Sequence, residues 1–285
     1  MMRDNEISTY FPRQKSKIGF FRSWFVMWRN VFRSKDLILQ LFKRDFLAIY
    51  KKSFLGAAWV FISPLIGIVS WVLMNATGIL KPGDVNIPYP AYVLISTTIY
   101  GLFIGFFDSA VKTLSEGSAF IMQVKFPHEA LLVKQIAGYL SNFTLSFVFV
   151  ILVLIGFKVY PTAWTFLMPV FILPIFFLGA GIGLIMSVIS VVAVELNRAM
   201  TLVLSLVIYI TPVIYSSRVE DPRLQKIITW NPLSYLIGEV RDLIIYGEMN
   251  HEIRYLYASI LAFFIFIFSW RLFFISVDKV IEKMI

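Results

Sequence analysis

The chain contains no cysteine. Disulfide frameworks and thiolate metal sites are therefore excluded, while the compartment stays open. Charge is also scarce: Asp, Glu, Lys and Arg make up 15% of 285 residues. A soluble domain carries roughly 25%. No glycine is followed by lysine, so the phosphate-cradling GxxxxGK[ST] loop is missing and the chain does not bind ATP that way. There are only two histidines, His128 and His251. No HExxH, GxSxG or carboxylate cluster accompanies them, which leaves a membrane-embedded transferase without a catalytic group. The apolar segments lack acids and histidines in their middles; Asp108 and Glu195 lie near segment ends. Ion-coupled transporters usually carry ionisable groups at mid-membrane, so a flippase driven without ATP is the less favoured alternative.

Hydrophobic residues, in contrast, reach 59%, and mean hydropathy is +0.78. Lipid is the solvent for much of such a chain, and the length suits one membrane domain. Six segments are long and apolar enough to cross about 30 Å of hydrocarbon: 55–77, 90–111, 131–156, 163–193, 199–216 and 254–276. The net charge of +9 reads first as topology. Twelve Lys and Arg precede the first segment, from Arg3 to Lys52, while the loop after it offers only Lys81 against Asp84. The positive-inside rule puts the N-terminus in the cytoplasm, and six crossings return the C-terminus there. No cleavable signal peptide is expected, because the first apolar run lies behind a long basic and aromatic segment. No soluble basic domain exists to bind nucleic acid.

Two amphipathic helices are expected before the first span. In 17–33, Arg22, Arg29 and Arg33 take one side and Phe21, Trp24, Phe25, Trp28 and Phe32 the other. In 36–52, Ile38, Leu39, Phe42, Phe46, Ile49 and Tyr50 share an arc opposite Gln40, Lys43, Arg44 and Lys51. Both suit the headgroup layer. The domain reading is thus a cytoplasmic segment, 1–54, followed by a six-span domain, 55–285. An external connection, 217–253, holds short helices that re-enter or lie on the outer leaflet, with Leu233, Leu236, Ile237, Val240 and Ile244 on one side. One polar turn interrupts the hydrocarbon on the cytoplasmic side: QVKFPHEALLVKQ, residues 123–135.

Four stretches in order carry a resemblance: KRDFLAIYKKSFLGAAWVFISP at 43–64, QVKFPHEAL at 123–131, TPVIY at 211–215 and NPLSYLIGEVRDLIIYG at 231–247. The set resembles the membrane subunit of type 2 ABC exporters. More narrowly it is similar to the polysaccharide and teichoic-acid group typified by Wzm, KpsM and TagG, over about residues 36 to the end. The resemblance implies a homodimer of six-span subunits in the bacterial inner membrane, bound to two copies of a cytoplasmic ATPase that holds ATP and Mg. This chain would hold no cofactor and no metal. The substrate implied is a lipid-linked glycan of the O-antigen kind, with capsule, teichoic acid or a small drug as the same-fold alternatives.

The resemblance also assigns positions. The turn at about 117–130 would be a coupling helix, offering Gln123, Lys125, Phe126, Pro127, His128 and Glu129 to the ATPase. Arg44, Asp45, Tyr50, Lys52, Ser53, Gly56 and Trp59 match the family's motif ahead of the first span. Arg44, Lys51 and Lys52 there could meet a lipid pyrophosphate, or could simply anchor the cytoplasmic side. Pro212, Tyr215, Asn231, Pro232 and Arg241 fall in the region that caps the outer end of the pathway. Independently, Tyr100, Phe103, Phe106 and Phe107 cluster in the second span, where they could line a glycan conduit or pack against other helices. Gly179 and Gly183 form a GxxxG that permits close helix contact.

Overall fold

The computed structural model describes residues 19–51, 58–115, 127–190 and 193–282, and these are helical with short connections. Two helices precede the apolar region, α1 (Phe20–Arg33) and α2 (Lys35–Lys51). The apolar helices follow as α3 (Ala58–Ala76), α4 (Tyr89–Ser115) and α5 (His128–Gly156). A 3-10 turn (Ala163–Leu167) and the short α6 (Met168–Phe171) lead into α7 (Leu173–Ser190). Then come α8 (Val194–Val207), α9 (Pro222–Trp230), α10 (Pro232–Tyr246) and α11 (Glu252–Glu282).

Each of the six apolar segments contains a helix, and among the described residues four helices are long and apolar enough to span a membrane: Tyr89–Leu114, His128–Gly156, Ala163–Ser190 and Glu252–Val277. The remaining two segments hold α3 and α8. α3 is described only from Ala58. α8 has 14 residues, about 21 Å at 1.5 Å per residue, and passes through a 3-10 turn (Ile208–Ile210) into the non-helical run before Pro212. Proline has no N–H to give a helix and clashes with the preceding turn.

α4 is the central helix. Of its apolar window, 72% is buried, against 11% for α5, which is therefore peripheral. The contact of α4 with α7 is built from glycine. A methyl group on Gly179 would stand 2.6 Å from the Phe103 carbonyl oxygen, and one on Gly183 would strike the Phe107 carbonyl oxygen. On the opposite side of α7, a methyl on Gly181 would meet the Phe266 backbone of α11 at 3.2 Å. The GxxxG thus makes an internal seam. Without side chains between them, the backbones approach closely enough for van der Waals packing to hold the pair.

That seam settles where the second-span aromatics lie. Phe103, Phe106 and Phe107 are at most 1% exposed, and Tyr100 is buried. Phe106 packs edge-on against Tyr139 of α5 and Phe176 of α7. The Tyr100 hydroxyl donates to the Leu204 carbonyl of α8 at 2.5 Å. These four pack inside the chain, between α4 and its neighbours.

The outward surfaces of α3, α5, α8 and α11 stay apolar, with Ile66, Leu73, Val148, Leu152, Leu202, Leu206, Phe264 and Phe268 exposed. Such a surface suits hydrocarbon rather than water.

Candidate functional site

Two constructions stand at opposite ends of α4, a helix of 27 residues, about 40 Å long.

The first surrounds the start of α5, which takes in residues 128–135 of the polar stretch expected as a turn. Pro127 precedes it with φ −65° and ψ 123°, an extended geometry that fixes where α5 begins. Glu129, Ala130, Leu131 and Leu132 are buried immediately. Ala130 and Leu131 pack with Leu41, Leu37 and Ile38 of α2. Leu132 joins a second cluster with Met27 of α1, Ala110 and Leu114 of α4, and Phe273 of α11. So the first turn of α5 is where α1, α2, α4 and α11 meet. Lys134 donates to Asp45 at 2.5 Å, and Arg44 donates to the same carboxylate at 2.7 Å. Partial burial pushes the Asp45 carboxyl up, but Arg44 and Lys134 outweigh it and hold the group below its ordinary range.

The amphipathic helices are therefore docked, and not only along the expected arcs. On α2, Leu41 is buried while Leu39 is 49% exposed, so the docked face centres on Leu37, Ile38 and Leu41. On α1, Trp24 stacks on Trp270 at 5.4 Å, and Ser23 and Met27 are buried. Phe25, Trp28 and Phe32 remain outside. Each helix has two apolar edges, one held by protein and one free for an interface.

Of the expected coupling residues, Pro127, His128 and Glu129 stand at this hub. Gln123, Lys125 and Phe126 lie outside the described residues, as do Lys52, Ser53 and Gly56 of the motif before the first span. Tyr50 is in the last turn of α2 and Trp59 in the first turn of α3, where Trp59 is exposed. The Asp45–Lys134 pair is partly exposed, so its contribution is about 0.2–1 kcal/mol. Replacing Asp45 by alanine should raise amide exchange along α2 by about two- to fivefold, and the swap Asp45→Lys with Lys134→Asp should restore protection. Unchanged exchange in the alanine variant would show that the pair does not hold α2.

The second construction is a clasp on a broken helix. After the 3-10 turn (Ile208–Ile210), the run 211–215 is buried, with Thr211 and Val213 at 0% exposure. Its carbonyls have left the helical ladder and must be satisfied elsewhere. Side chains from α4 and α10 do this. Tyr89 donates to the Ile214 carbonyl at 3.1 Å and Tyr92 to that of Tyr215 at 2.8 Å. Arg241 donates to the Pro212 carbonyl at 3.2 Å, to the Tyr92 hydroxyl at 2.7 Å and to Asp242 at 2.8 Å. Asn231 donates to the Ile210 carbonyl at 3.1 Å and to the Thr211 hydroxyl at 2.8 Å. The same side chain caps α10 by accepting from the Leu233 N–H, with Pro232 following in the first helical turn. Tyr215 closes the run by donating to the Tyr209 carbonyl at 2.8 Å.

The structure thus gathers Pro212, Tyr215, Asn231, Pro232 and Arg241 into one place. Sequence reading missed Tyr89 and Tyr92, whose position at a span end is that of an ordinary interfacial belt. It also missed Glu239. This carboxylate is 3% exposed and accepts from the Asn250 and His251 N–H groups at 2.7 and 3.1 Å. The signal was weak: a single acid on the otherwise apolar face of α10. A cavity of about 670 Å³ opens beside the clasp, between the loop at 84–86, α9, α10 and the start of α11.

A family model described as an ABC-2 type transporter matches residues 36–245, which contain most of the hub and the whole of the clasp. An O-antigen export system permease protein RfbA from Myxococcus xanthus is 25% identical over 211 residues, covering 73% of this chain and 80% of that one. A protein of the same name from Klebsiella pneumoniae is 25% identical over 235 residues, covering 80% and 86%. A second from Klebsiella pneumoniae is 25% identical over 233 residues. The match spans well over half the chain, and with it the chain belongs to the ABC-2 type transporter family.

Proposed function

We propose that this chain is the permease subunit of an ATP-driven exporter that moves a lipid-linked, O-antigen-like polysaccharide outward across the bacterial inner membrane. The observation that carries this is the alignment of about four-fifths of the chain with proteins named as O-antigen export permeases. Several features support it. The chain has no nucleotide-binding loop of its own, so a motor would come from a separate ATPase holding ATP and Mg. The hub at the start of α5 is a rigid junction, and a push on the turn before it would reach α1, α2, α4 and α11 together. The clasp lies at the far end of α4, where the outer gate would be.

In this reading all six apolar segments cross the membrane, both termini are cytoplasmic, and α9 and α10 are the re-entrant external helices. The working unit is a homodimer with two ATPase subunits. Trp71 of α3 meets Tyr209 edge-on at 5.9 Å, so the first and fifth segments are neighbours. Both keep exposed apolar faces, which suits a seam between two copies.

The test is a mild-detergent purification of the tagged chain, together with a gene deletion. A stoichiometric soluble partner carrying GxxxxGK[ST] should co-purify, and surface polysaccharide should disappear from the deletion strain while its lipid-linked precursor accumulates inside. Intact surface polysaccharide in that strain would sink the reading.

A further inference from the structure

The cavity beside the clasp is built of charged and hydroxylated side chains in a protein with few charges. Arg218, Tyr235, Glu239, Asp242, Tyr246 and Arg254 all reach it. Its carboxylates are largely committed. Glu239 accepts from two backbone N–H groups and lies 3.2 Å from His251 Nδ1, while Asp242 accepts from Arg241 and from the Asn250 side chain. The donors are not. Among the described residues, Arg218 has no carboxylate partner, and Arg254 donates only to the Tyr235 hydroxyl, at 2.6 Å. The Arg254 guanidinium also lies over the Tyr235 ring at 5.5 Å, so one edge is fixed and the other left open.

We propose that this cavity binds an anionic saccharide unit, a sugar ring bearing a carboxylate or phosphate. The two open guanidiniums meet the anionic oxygens. The phenols of Tyr235 and Tyr246 meet ring hydroxyls. A volume of about 670 Å³ lies within the range of about 300–1,000 Å³ typical of small-molecule sites. Asp84 faces the same space, and its charge favours a ligand that presents a hydroxyl rather than a second anion toward that side. The saccharide half of the proposal rests on the export reading above; the anionic half rests on the cavity alone.

The test is saturation-transfer NMR on the full chain in lipid nanodiscs, without any ATPase, using glucuronate, glucose and inorganic phosphate. Glucuronate should bind more tightly than either of the others. Arg218→Gln and Arg254→Gln should each weaken it about tenfold, the loss of one charge-assisted hydrogen bond. Both residues are exposed, so these variants should fold. Tyr246→Phe should weaken glucuronate about threefold without lowering thermal stability, since it removes one exposed hydroxyl from the cavity wall. Phosphate binding as tightly as glucuronate would overturn the saccharide half. Glucose binding as tightly would overturn the anionic half, and no binding would overturn both. The export reading fails separately: a chain that binds glucuronate but whose deletion leaves surface polysaccharide intact keeps the cavity and loses the exporter.

Discussion

Arg241→Met should destabilise the protein by about 3–5 kcal/mol, the usual loss when one partner of a buried ion pair is removed. Arg241 and Asp242 side chains are only 7% and 13% exposed. Methionine fills much of the volume but leaves Asp242 charged and nearly dry. It also takes a donor from the Pro212 carbonyl and a partner from the Tyr92 hydroxyl. The broken helix would then keep the bonds from Tyr89, Tyr92, Asn231 and Tyr215. Thermal unfolding of the purified chain should fall on the order of 10 °C. Lysine cannot reproduce the effect of the planar fork, since its single ammonium cannot reach Asp242, Tyr92 and Pro212 with fixed geometry. Arg241→Lys should therefore lie between the two. Arg241→Met combined with Asp242→Leu should be more stable than Arg241→Met alone, because the stranded charge is gone. A methionine variant melting within about 2 °C of wild type would mean that the clasp does not hold the 211–215 run.

The clasp also shows which parts of the molecule are readable from sequence. Helix α2 spans 35–51 and was legible as 36–52, because its amphipathic spacing is a local signal. The expected apolar side of α10 was legible for the same reason: Leu233, Leu236, Ile237, Val240 and Ile244 are all buried. Asn231 and Pro232 together are a helix-start signal wherever they occur. What local spacing does not carry is the partner. Arg241 and Tyr92 are 149 residues apart, and Tyr89 and Ile214 are 125 apart. Nothing near any of these residues says that they meet. The same blindness explains α1 and α2. A helical wheel shows that they have apolar faces, but not that one edge goes to Trp270 or Leu131 and the other stays free. It also explains the second-span aromatics. Phe103, Phe106 and Phe107 on a helix could face a conduit or a neighbour, and the choice is made by glycines some 75 residues later.

Those glycines set the second large expectation. In α7, Gly183→Val should abolish folding, and Gly183→Ala should cost about 1–3 kcal/mol as an overpacked core does. The reason is what the new carbon meets. At Gly183 it would overlap the Phe107 carbonyl oxygen and stand 2.7 Å from the Ala110 Cβ. Neither atom is the end of a flexible side chain, so relief requires α4 and α7 to separate along their length. Separation would loosen the packing of Phe103 and Phe106 as well, because Gly179 is one turn away on the same face. Gly179→Ala, at 2.6 Å from the Phe103 carbonyl, should cost slightly less. Gly181→Ala should cost less again, since the Phe266 backbone and Ile265 Cγ2 are at 3.1–3.2 Å and need to give only a few tenths of an ångström. Gly67 and Gly138 have nothing within 4 Å. Alanine there should be neutral or slightly stabilising, because a helix interior favours alanine over glycine. Thermal unfolding of the five alanine variants in one detergent gives the order directly. If Gly183→Ala melts with Gly138→Ala, the α4–α7 seam tolerates a methyl group, and the central packing of the protein is looser than its backbone contacts imply.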